Sequence, residues 1–222
     1  MPISIIIPAL NEEKSIKALL QQLQIYRQQG HEVIVVDAGS HDETVSISSS
    51  LADKVITSDV GRARQMNKGV AESKNDVLWF LHADTSISEN VIETIQESLN
   101  KYDWGRFNIK LSGSHLLFRI IEKMINVRSC FSGIATGDQG VFVKRKIFES
   151  IGGYPEIPLM EDVALSKKLK SISQPICIKE ALTTSSRRWE KNGIIKTVLL
   201  MWYLRFLYWM GVNPNKLAKL YR

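Results

Sequence analysis

The 222-residue sequence predicts an α/β protein with a mixed sheet, whose first half is a Rossmann-like nucleotide-binding unit. Short apolar runs alternate with amphipathic stretches in that half, which is typical of βαβ units around a parallel sheet. Polar residues directly follow several of the apolar runs, at the strand ends where ligands gather in such sheets. A third observation, an apolar stretch near the C-terminus, predicts an apolar helical extension beyond the sheet.

Each element follows from its apolar spacing, since period two indicates strands and period 3.6 indicates helices. The predicted strands are Ser4–Pro8, Glu32–Asp37, Lys54–Thr57, Val77–Leu81, Arg106–Leu111, Gly140–Val143 and Ile176–Ser186. The predicted helices are Glu12–Gln29, His41–Leu51, Arg62–Ser73, Glu89–Lys101, His115–Arg128 and Glu161–Leu169. The second half is the less regular part.

Composition and charge narrow the class of protein. Hydrophobic residues make up 44% and charged residues 23%, as in globular proteins. The net charge is +6, but residues 185–222 alone carry +7, so the remainder is close to neutral and no nucleic-acid partner is predicted. The basic tail suits an anionic membrane surface or an acidic ligand equally well.

The N-terminus and the cysteines both point to the cytoplasm. No basic segment precedes the first apolar run, so we expect no secretory signal. Cys130 and Cys177 are distant in sequence and lie in apolar surroundings, which predicts two buried, reduced thiols.

The stretch from Ile194 to Met210 predicts the C-terminal helix. Its only residues outside the apolar class are Lys196, Thr197 and Arg205, and the two cations lie on opposite faces of a helix. The segment is shorter than the roughly 20 residues that a membrane span needs. Burial on the domain, an interfacial position on a membrane, and a homodimer contact remain alternatives.

Two polar segments follow the first two strands. Asn11 and Glu12 come after Pro8, either as a helix cap or as part of a ligand site. Asp37 precedes a tight turn at Gly39, where it would either cap the next helix or accept a ribose hydroxyl or a base edge.

Two further segments contain candidate phosphate and metal groups. Arg62, Arg64 and Asn67 begin a helix whose N-terminus could attract phosphate, although a solvated helical face is the simpler interpretation. His82 and Asp84 are two residues apart, so both side chains can face one divalent ion in an extended chain. Carboxylate favours Mg²⁺ or Mn²⁺, and histidine favours Mn²⁺. The alternative is that Asp84 caps the next helix.

In order and spacing, these segments resemble family 2 glycosyltransferases of the GT-A fold along nearly the whole chain. The residues that carry the resemblance are Ile7-Pro8, Asn11-Glu12-Glu13, Asp37, Gly39-Ser40, Asp42-Glu43-Thr44, Asn67-Lys68-Gly69, Phe80 to Thr85, Gly152-Gly153-Tyr154 and Glu161-Asp162. One departure concerns the D-x-D motif, because His82 occupies the place of its first aspartate.

The resemblance implies a nucleotide-sugar donor, with Asp37 near the uracil or ribose and a metal-bound diphosphate on Asp84. It places the general base on Asp162, with Glu161 beside it, in a single displacement with inversion. The donor-binding residues expected on this basis are Pro8, Asn11, Glu12, Asp37, Gly39, Arg62, Arg64, Asn67, His82, Asp84, Arg187 and Arg188.

The resemblance also suggests residues for the acceptor, a small or lipid-linked molecule. Asp138 falls where the family places part of its acceptor loop. Arg187-Arg188-Trp189 looks like the end of the Q-x-x-R-W motif of processive relatives, with Ser185 at the glutamine position, and Trp189 could stack on a sugar or acceptor. This segment and the short extension resemble a bacterial subgroup linked to arsenosugar biosynthesis.

The sequence therefore predicts a catalytic domain over residues 1–189 and a helical extension over residues 190–222. Two other functions remain as alternatives. A nucleotidyltransferase would share the α/β core and the need for Mn²⁺ or Mg²⁺, but it normally has a glycine-rich basic loop where Asn11 and Glu12 stand. A catalytically inactive sugar-nucleotide-binding or membrane-adaptor protein would account for His82 and the aromatic tail.

Overall fold

The computed structural model describes residues 1–221; Arg222, one of the basic residues of the tail, lies outside the described residues. Within them, the strands are β1 (Ile3–Ala9), β2 (Glu32–Asp37), β3 (Lys54–Thr57), β4 (Val77–Phe80), β5 (Trp104–Leu111), β6 (Phe142–Lys144) and β7 (Ile176–Thr184). They form one sheet in the order β3-β2-β1-β4-β6-β5-β7. Strand β6 is antiparallel to both of its neighbours and the other pairs are parallel, which confirms the predicted mixed sheet.

The helices that cover the sheet agree with the predicted ones to within a few residues at most ends. They are α1 (Glu13–Gln22), α2 (Gln24–Gln28), α3 (Thr44–Leu51), α4 (Arg62–Ala71), α5 (Val91–Leu99), α6 (Leu116–Ser132), α7 (Arg145–Ser150), α8 (Glu161–Lys170), α9 (Arg187–Asn192), α10 (Ile194–Trp209) and α11 (Pro214–Tyr221). Helices α7, α9 and α11 were not predicted, because short helices carry too few turns to show a period.

Two apolar cores lie on the two faces of the sheet. On one face, Ile3, Ile5 and Ile7 of β1 pack with residues of α1 and α5. On the other face, Ile6 packs with Met66 of α4 and with apolar residues of α7 and α8. This alternation along β1 follows from the two-residue period of a strand, and it explains why the run is apolar throughout.

The first strand continues through Pro8 instead of ending there as predicted. Pro8 pairs with Val36 of β2, while the pairing of β1 with β4 ends at Ile6 and Phe80. A proline lacks the N–H of a ladder bond, so it is tolerated where one neighbouring strand has already diverged.

The Asn67-Lys68-Gly69 segment has packing roles in the structure. A Cβ at Gly69 would lie 2.5 Å from the Ile6 side chain, so glycine allows α4 to approach the sheet closely. The Asn67 side chain donates to the Tyr154 carbonyl oxygen and accepts from the Tyr154 N–H, each at 2.9 Å. These contacts hold the Gly152-Gly153-Tyr154 turn against α4.

The prediction of two separate, buried thiols is wrong. Cys130 at the end of α6 and Cys177 in β7 form a disulfide, with their Cα atoms 5.7 Å apart. Cys130 is exposed and Cys177 is half-buried. The two residues meet because α6 packs over β5, and β5 pairs with β7. The cysteines therefore give no support to the expected reducing compartment.

The C-terminal helices pack on the domain with one face. Leu204 of α10 and Leu217 of α11 are buried against Met160 and Val163 of the α8 region. The outward side of α10 is an apolar stripe at helical spacing, formed by Ile195, Leu199, Trp202, Tyr203, Phe206, Trp209 and Met210. No helix within residues 1–221 is long and apolar enough to cross a membrane.

Candidate functional site

The loops after β1 and β2 are joined by hydrogen bonds at the carboxyl edge of the sheet. The Asn11 N–H donates to Ser40 Oγ at 2.8 Å, and Asn11 Oδ1 accepts from the His41 N–H at 2.9 Å. Asn11 has a left-handed backbone with φ of 55°, which asparagine tolerates better than most residues. The predicted segments thus meet in one rim. Asn11 does not cap α1, because Glu12 is the residue before that helix and Asn11 Oδ1 accepts from His41 instead; its role in a ligand site stays a prediction.

Asp37 is buried at the end of β2, where it organises the turn that follows. One carboxylate oxygen accepts from the N–H groups of Gly39 and Ser40, at 2.8 and 2.9 Å. The other accepts from the Ser40 hydroxyl. Asp37 therefore does not cap the next helix, because the residue before α3 is Glu43 and no side chain caps that helix. Its bonds stabilise the Gly39–Ser40 turn instead and fix the carboxylate at the rim.

Asp84 lies beyond the end of β4, close to the loop after β1. Burial raises the pKa of its carboxyl group, the nearby Glu12 carboxylate raises it further, and Arg187 opposes the effect. Arg187 contacts both acids, with Nη2 3.3 Å from Glu12 Oε2 and 3.9 Å from Asp84 Oδ2. A second cation or a metal ion at Asp84 would relieve this carboxylate repulsion.

His82 faces the same interior as Asp84 but remains neutral. Burial, with a smaller effect of Arg62, lowers the pKa of its imidazole to about 3. Its Nε2 atom is shielded from solvent and has no hydrogen-bond partner among residues 1–221. A Cβ at Gly137 would lie 2.7 Å from this atom, so glycine is required for the imidazole to sit against the backbone there.

The acidic pair Glu161-Asp162 begins α8 and points into the same space. Met160 before it has a left-handed φ of 69° and is 4% exposed, and such strained residues cluster at functional sites. The two Asp162 oxygens accept from the N–H groups of Gly137 and Val163, at 3.0 and 2.7 Å. Burial, followed by the Asp162 charge, raises the pKa of Glu161.

A single cavity of about 460 Å³ connects these groups. Its polar end is lined by Arg62, His82, Asp84, Gly137, Asp138, Glu161 and Asp162. Its apolar end lies between α6 and α10 and includes Ile121, Met124, Ile125, Val198, Met201 and Trp202. The chain thus places a candidate metal group and a candidate proton acceptor in one space with an apolar extension.

Arg64 and Asn67 do not line this cavity, and their role in donor binding stays a prediction. Arg64 lies near Asp59 and Glu156, with nitrogen–oxygen distances of 3.8 and 3.3 Å, in a separate shallow depression. Both side-chain atoms of Asn67 that form hydrogen bonds are committed to Tyr154. The helical period places these residues on the side of α4 that faces the Gly152–Glu156 turn.

The residues of the last predicted segment, Arg187-Arg188-Trp189, lie at different parts of the site. Arg188 stacks on the Tyr221 ring, with 3.8 Å from Cζ to the ring centre, and it also lines the cavity. Trp189 lines the cavity near α6 and α10. Asp138 lies in a short 3₁₀ turn (Gly137–Gln139), and burial, then the Asp162 charge, raises its pKa.

The described residues supply only some of the ligands that a divalent ion needs. No group of three or more histidine, cysteine, aspartate or glutamate side chains suited to a metal ion occurs in the described part of the chain. Asp84 offers a carboxylate and His82 an unpartnered imidazole nitrogen. Mg²⁺ and related ions are often held by one or two carboxylates plus substrate phosphates, so the site fits an ion that arrives with a diphosphate.

Among the cavity residues that were not predicted as site residues, Gly137, Arg128 and Arg205 offer groups that can bind a ligand or position one. Gly137 donates its N–H to Asp162, and its lack of a side chain makes room for His82. Neither feature produces a recognisable sequence pattern. Arg128 and Arg205 lie in α6 and α10 and line the cavity. A charge inside the apolar Ile194–Met210 run was the one available signal for Arg205, but it was interpreted only as an interruption.

Comparisons with known proteins relate part of the chain to a family and its fold to solved structures. Residues 4–105 match the family model described as Glycosyl transferase family 2. A probable glycosyltransferase of Bacillus subtilis (strain 168) is 26% identical over 220 residues, covering 86% of this chain and 50% of the relative. The chain thus spans about half the length of this curated relative.

Solved structures show the same fold at low sequence identity. S. aureus TarS 1–349 in complex with UDP has a TM-score of 0.68 at 18% identity, covering 83% of this chain and 60% of the other. A mannosyltransferase from Pyrobaculum calidifontis in complex with GDP-Man and Mn²⁺ has a TM-score of 0.65 at 20% identity, covering 82% of this chain and 56% of the other. Residues 4–105, which contain Asp37, His82 and Asp84, therefore carry a glycosyl transferase family 2 domain, in a chain with the GT-A fold.

Proposed function

We propose that the protein is an inverting, metal-dependent glycosyltransferase that uses a nucleotide-sugar donor, with UDP as the preferred nucleotide. The observation that carries the proposal is the single cavity in which Asp84, after β4, faces Glu161 and Asp162 at the start of α8. A transferase needs both a site for the leaving diphosphate and a proton acceptor for the incoming hydroxyl, and this cavity contains a candidate for each.

The donor would lie along the rim formed by the loops after β1, β2 and β4. Asp37 would face the uracil or ribose, and Pro8, Asn11 and Gly39 would line the nucleotide groove. Arg62, Arg187 and Arg188 supply positive charge for the diphosphate, because arginine binds phosphate oxygens bidentately. Asp84 and His82 would hold a Mn²⁺ or Mg²⁺ ion, which would supply charge stabilisation for the leaving diphosphate.

The transfer would be a single displacement. The acceptor hydroxyl oxygen forms a bond to the anomeric carbon while the bond from that carbon to the diphosphate oxygen breaks. The diphosphate leaves with the electron pair, and the hydroxyl proton moves to Asp162. The backbone N–H groups of Gly137 and Val163 orient this carboxylate, and Glu161 beside it would orient the acceptor.

Calorimetric titration of UDP, with GDP for comparison, tests the donor half of the proposal. Without a metal ion, the negative charges of Asp84 and the diphosphate repel each other. We therefore expect UDP to bind at least tenfold more tightly in Mn²⁺ than in excess chelator. Absence of binding under both conditions would favour the inactive adaptor. Release of pyrophosphate from a nucleoside triphosphate would instead favour a nucleotidyltransferase.

The outward stripe of α10 and the basic tail lead us to propose a peripheral contact with an anionic membrane surface. Phe206 and Trp209 are 55% and 73% exposed, which is unusual for adjacent aromatic residues on a surface helix. Interfacial helices bury such residues at the acyl boundary while cations face the lipid headgroups. The extension over residues 190–222 would thus anchor the domain, although α9 begins before it, at Arg187.

Co-sedimentation with vesicles checks this contact. We expect binding to phosphatidylglycerol-containing vesicles, weaker binding to pure phosphatidylcholine, and at least a fivefold loss in a Phe206→Ser, Trp209→Ser double variant. Ile25→Ser, which removes an exposed apolar side chain from α2, should leave binding unchanged. No vesicle binding together with a dimer in sedimentation equilibrium would overturn the membrane contact in favour of a homodimer.

A further inference from the structure

Two arginines that line the cavity have no partner among residues 1–221. Arg128 of α6 and Arg205 of α10 are half-buried, and the guanidinium group of neither one forms a hydrogen bond or an ion pair there. Arg128 Nε and Nη2 and Arg205 Nε are shielded from solvent. Buried charged donors without partners cost free energy, so this pair is matched to an anion that the chain itself does not supply.

The nearby carboxylates do not fulfil this role. The charges of Asp138 and Asp162 raise the pKa of Arg128, but neither residue has an oxygen within ion-pair distance of it. Asp162 is directed to the Gly137 and Val163 N–H groups. Burial and the charge of Arg205 lower the pKa of Arg128 to about 10, so it still carries its proton at neutral pH.

The walls beside the arginines are apolar. Ile121, Met124 and Ile125 come from α6, and Val198, Met201 and Trp202 come from α10. A free sugar bound here would leave these apolar side chains exposed to water, whereas a hydrocarbon chain would bury them. The site therefore combines a cationic pair, an apolar channel and, at its polar end, the proposed proton acceptor Asp162.

We propose that Arg128 and Arg205 bind the anionic group of the acceptor and that the α6–α10 channel holds its hydrocarbon part. The acceptor is then an anionic amphiphile, a molecule that carries a phosphate or carboxylate next to a hydrocarbon chain, besides the hydroxyl that attacks the donor. This inference rests on the proposed transferase function. Guanidinium groups bind both of these anions through paired N–H donors, so the pair selects charge and shape while the channel selects apolar length.

Calorimetry on the full chain with three ligands tests the site. Octyl phosphate carries both features, octyl glucoside has the chain without the charge, and inorganic phosphate has the charge without the chain. We expect octyl phosphate to bind at least tenfold more tightly than either of the others. Arg128→Gln and Arg205→Gln should each weaken it about tenfold, and the double variant about a hundredfold, with little effect on octyl glucoside.

Lys123→Gln is the matched control, because Lys123 is an exposed cation of α6 outside the cavity lining; it should change the affinity less than twofold. Unchanged octyl phosphate binding in the double variant would overturn the site. Equal binding of inorganic phosphate and octyl phosphate would overturn the apolar half. UDP titration of the unmodified chain and of each variant separates the two proposals. If the unmodified chain does not bind UDP, the transferase proposal is refuted. If it binds UDP but not octyl phosphate, only the proposed acceptor site is refuted.

Discussion

Asp162→Asn is expected to lower kcat for hydrolysis of the UDP-sugar by about 10²–10⁴-fold, the range typical of a general base. The amide has nearly the shape of the carboxylate but cannot accept a proton from the attacking hydroxyl or water. UDP affinity should remain within about threefold, because Asp162 lies on the acceptor side of the cavity. Steady-state hydrolysis and calorimetry on the same preparation measure the two quantities.

The position of Asp162 requires a check on folding. Both of its oxygens accept hydrogen bonds from backbone N–H groups. The NH₂ group of an asparagine at this position would therefore face one of these N–H donors and could not accept from it. Glu93→Gln, in the first turn of α5, is the matched control and should change neither activity nor UDP affinity. If Glu161→Gln abolished hydrolysis while Asp162→Asn retained it, the roles of the pair would be reversed.

Asp84→Asn is expected to weaken UDP binding in Mn²⁺ at least tenfold, which corresponds to about 1.4 kcal/mol. The substitution removes the carboxylate that would hold the ion on the diphosphate, so excess chelator should have almost no further effect on the variant. Calorimetric titration of UDP with and without Mn²⁺ measures both affinities.

Asp59→Asn provides the matched control for Asp84, because Asp59 is an exposed acid near Arg64 and outside the cavity. His82→Gln separates the two predicted ligands: a tenfold or greater loss confined to Mn²⁺ conditions would assign coordination to His82. Full metal-dependent binding in Asp84→Asn would contradict the proposed metal site.

Most of the first half of the fold could be predicted because its signals are local. Strands β2 and β3 begin and end where the apolar runs do, and α4 begins at the predicted Arg62. The motifs at the strand ends predicted one rim, since the carboxyl ends of parallel strands share an edge of the sheet. Asp37 shows the limit of such local reasoning, because it was a candidate cap for the next helix, whereas its carboxylate accepts from the turn at Gly39 and Ser40.

Contacts between distant segments explain where the structure departs from what the sequence suggested. Arg64 and Asn67 looked like phosphate ligands, but their partners, Glu156 and Tyr154, come from a turn about ninety positions later. Cys130 and Cys177 are 47 residues apart and meet only through the packing of α6 on the sheet. Pro8 could continue β1 because the neighbouring strand β4 had already ended its pairing.

By itself, the sequence determined the α/β class, the nucleotide-binding half and the acids at the rim, because each depends on residues within a few positions of one another. Only the tertiary structure decided which of these groups share a cavity. It brought His82 against Gly137, Asp162 onto the Gly137 N–H, and Arg128 beside Arg205. Such contacts depend on how helices from the second half close over the sheet, and the packing of distant side chains leaves no period or motif along the chain.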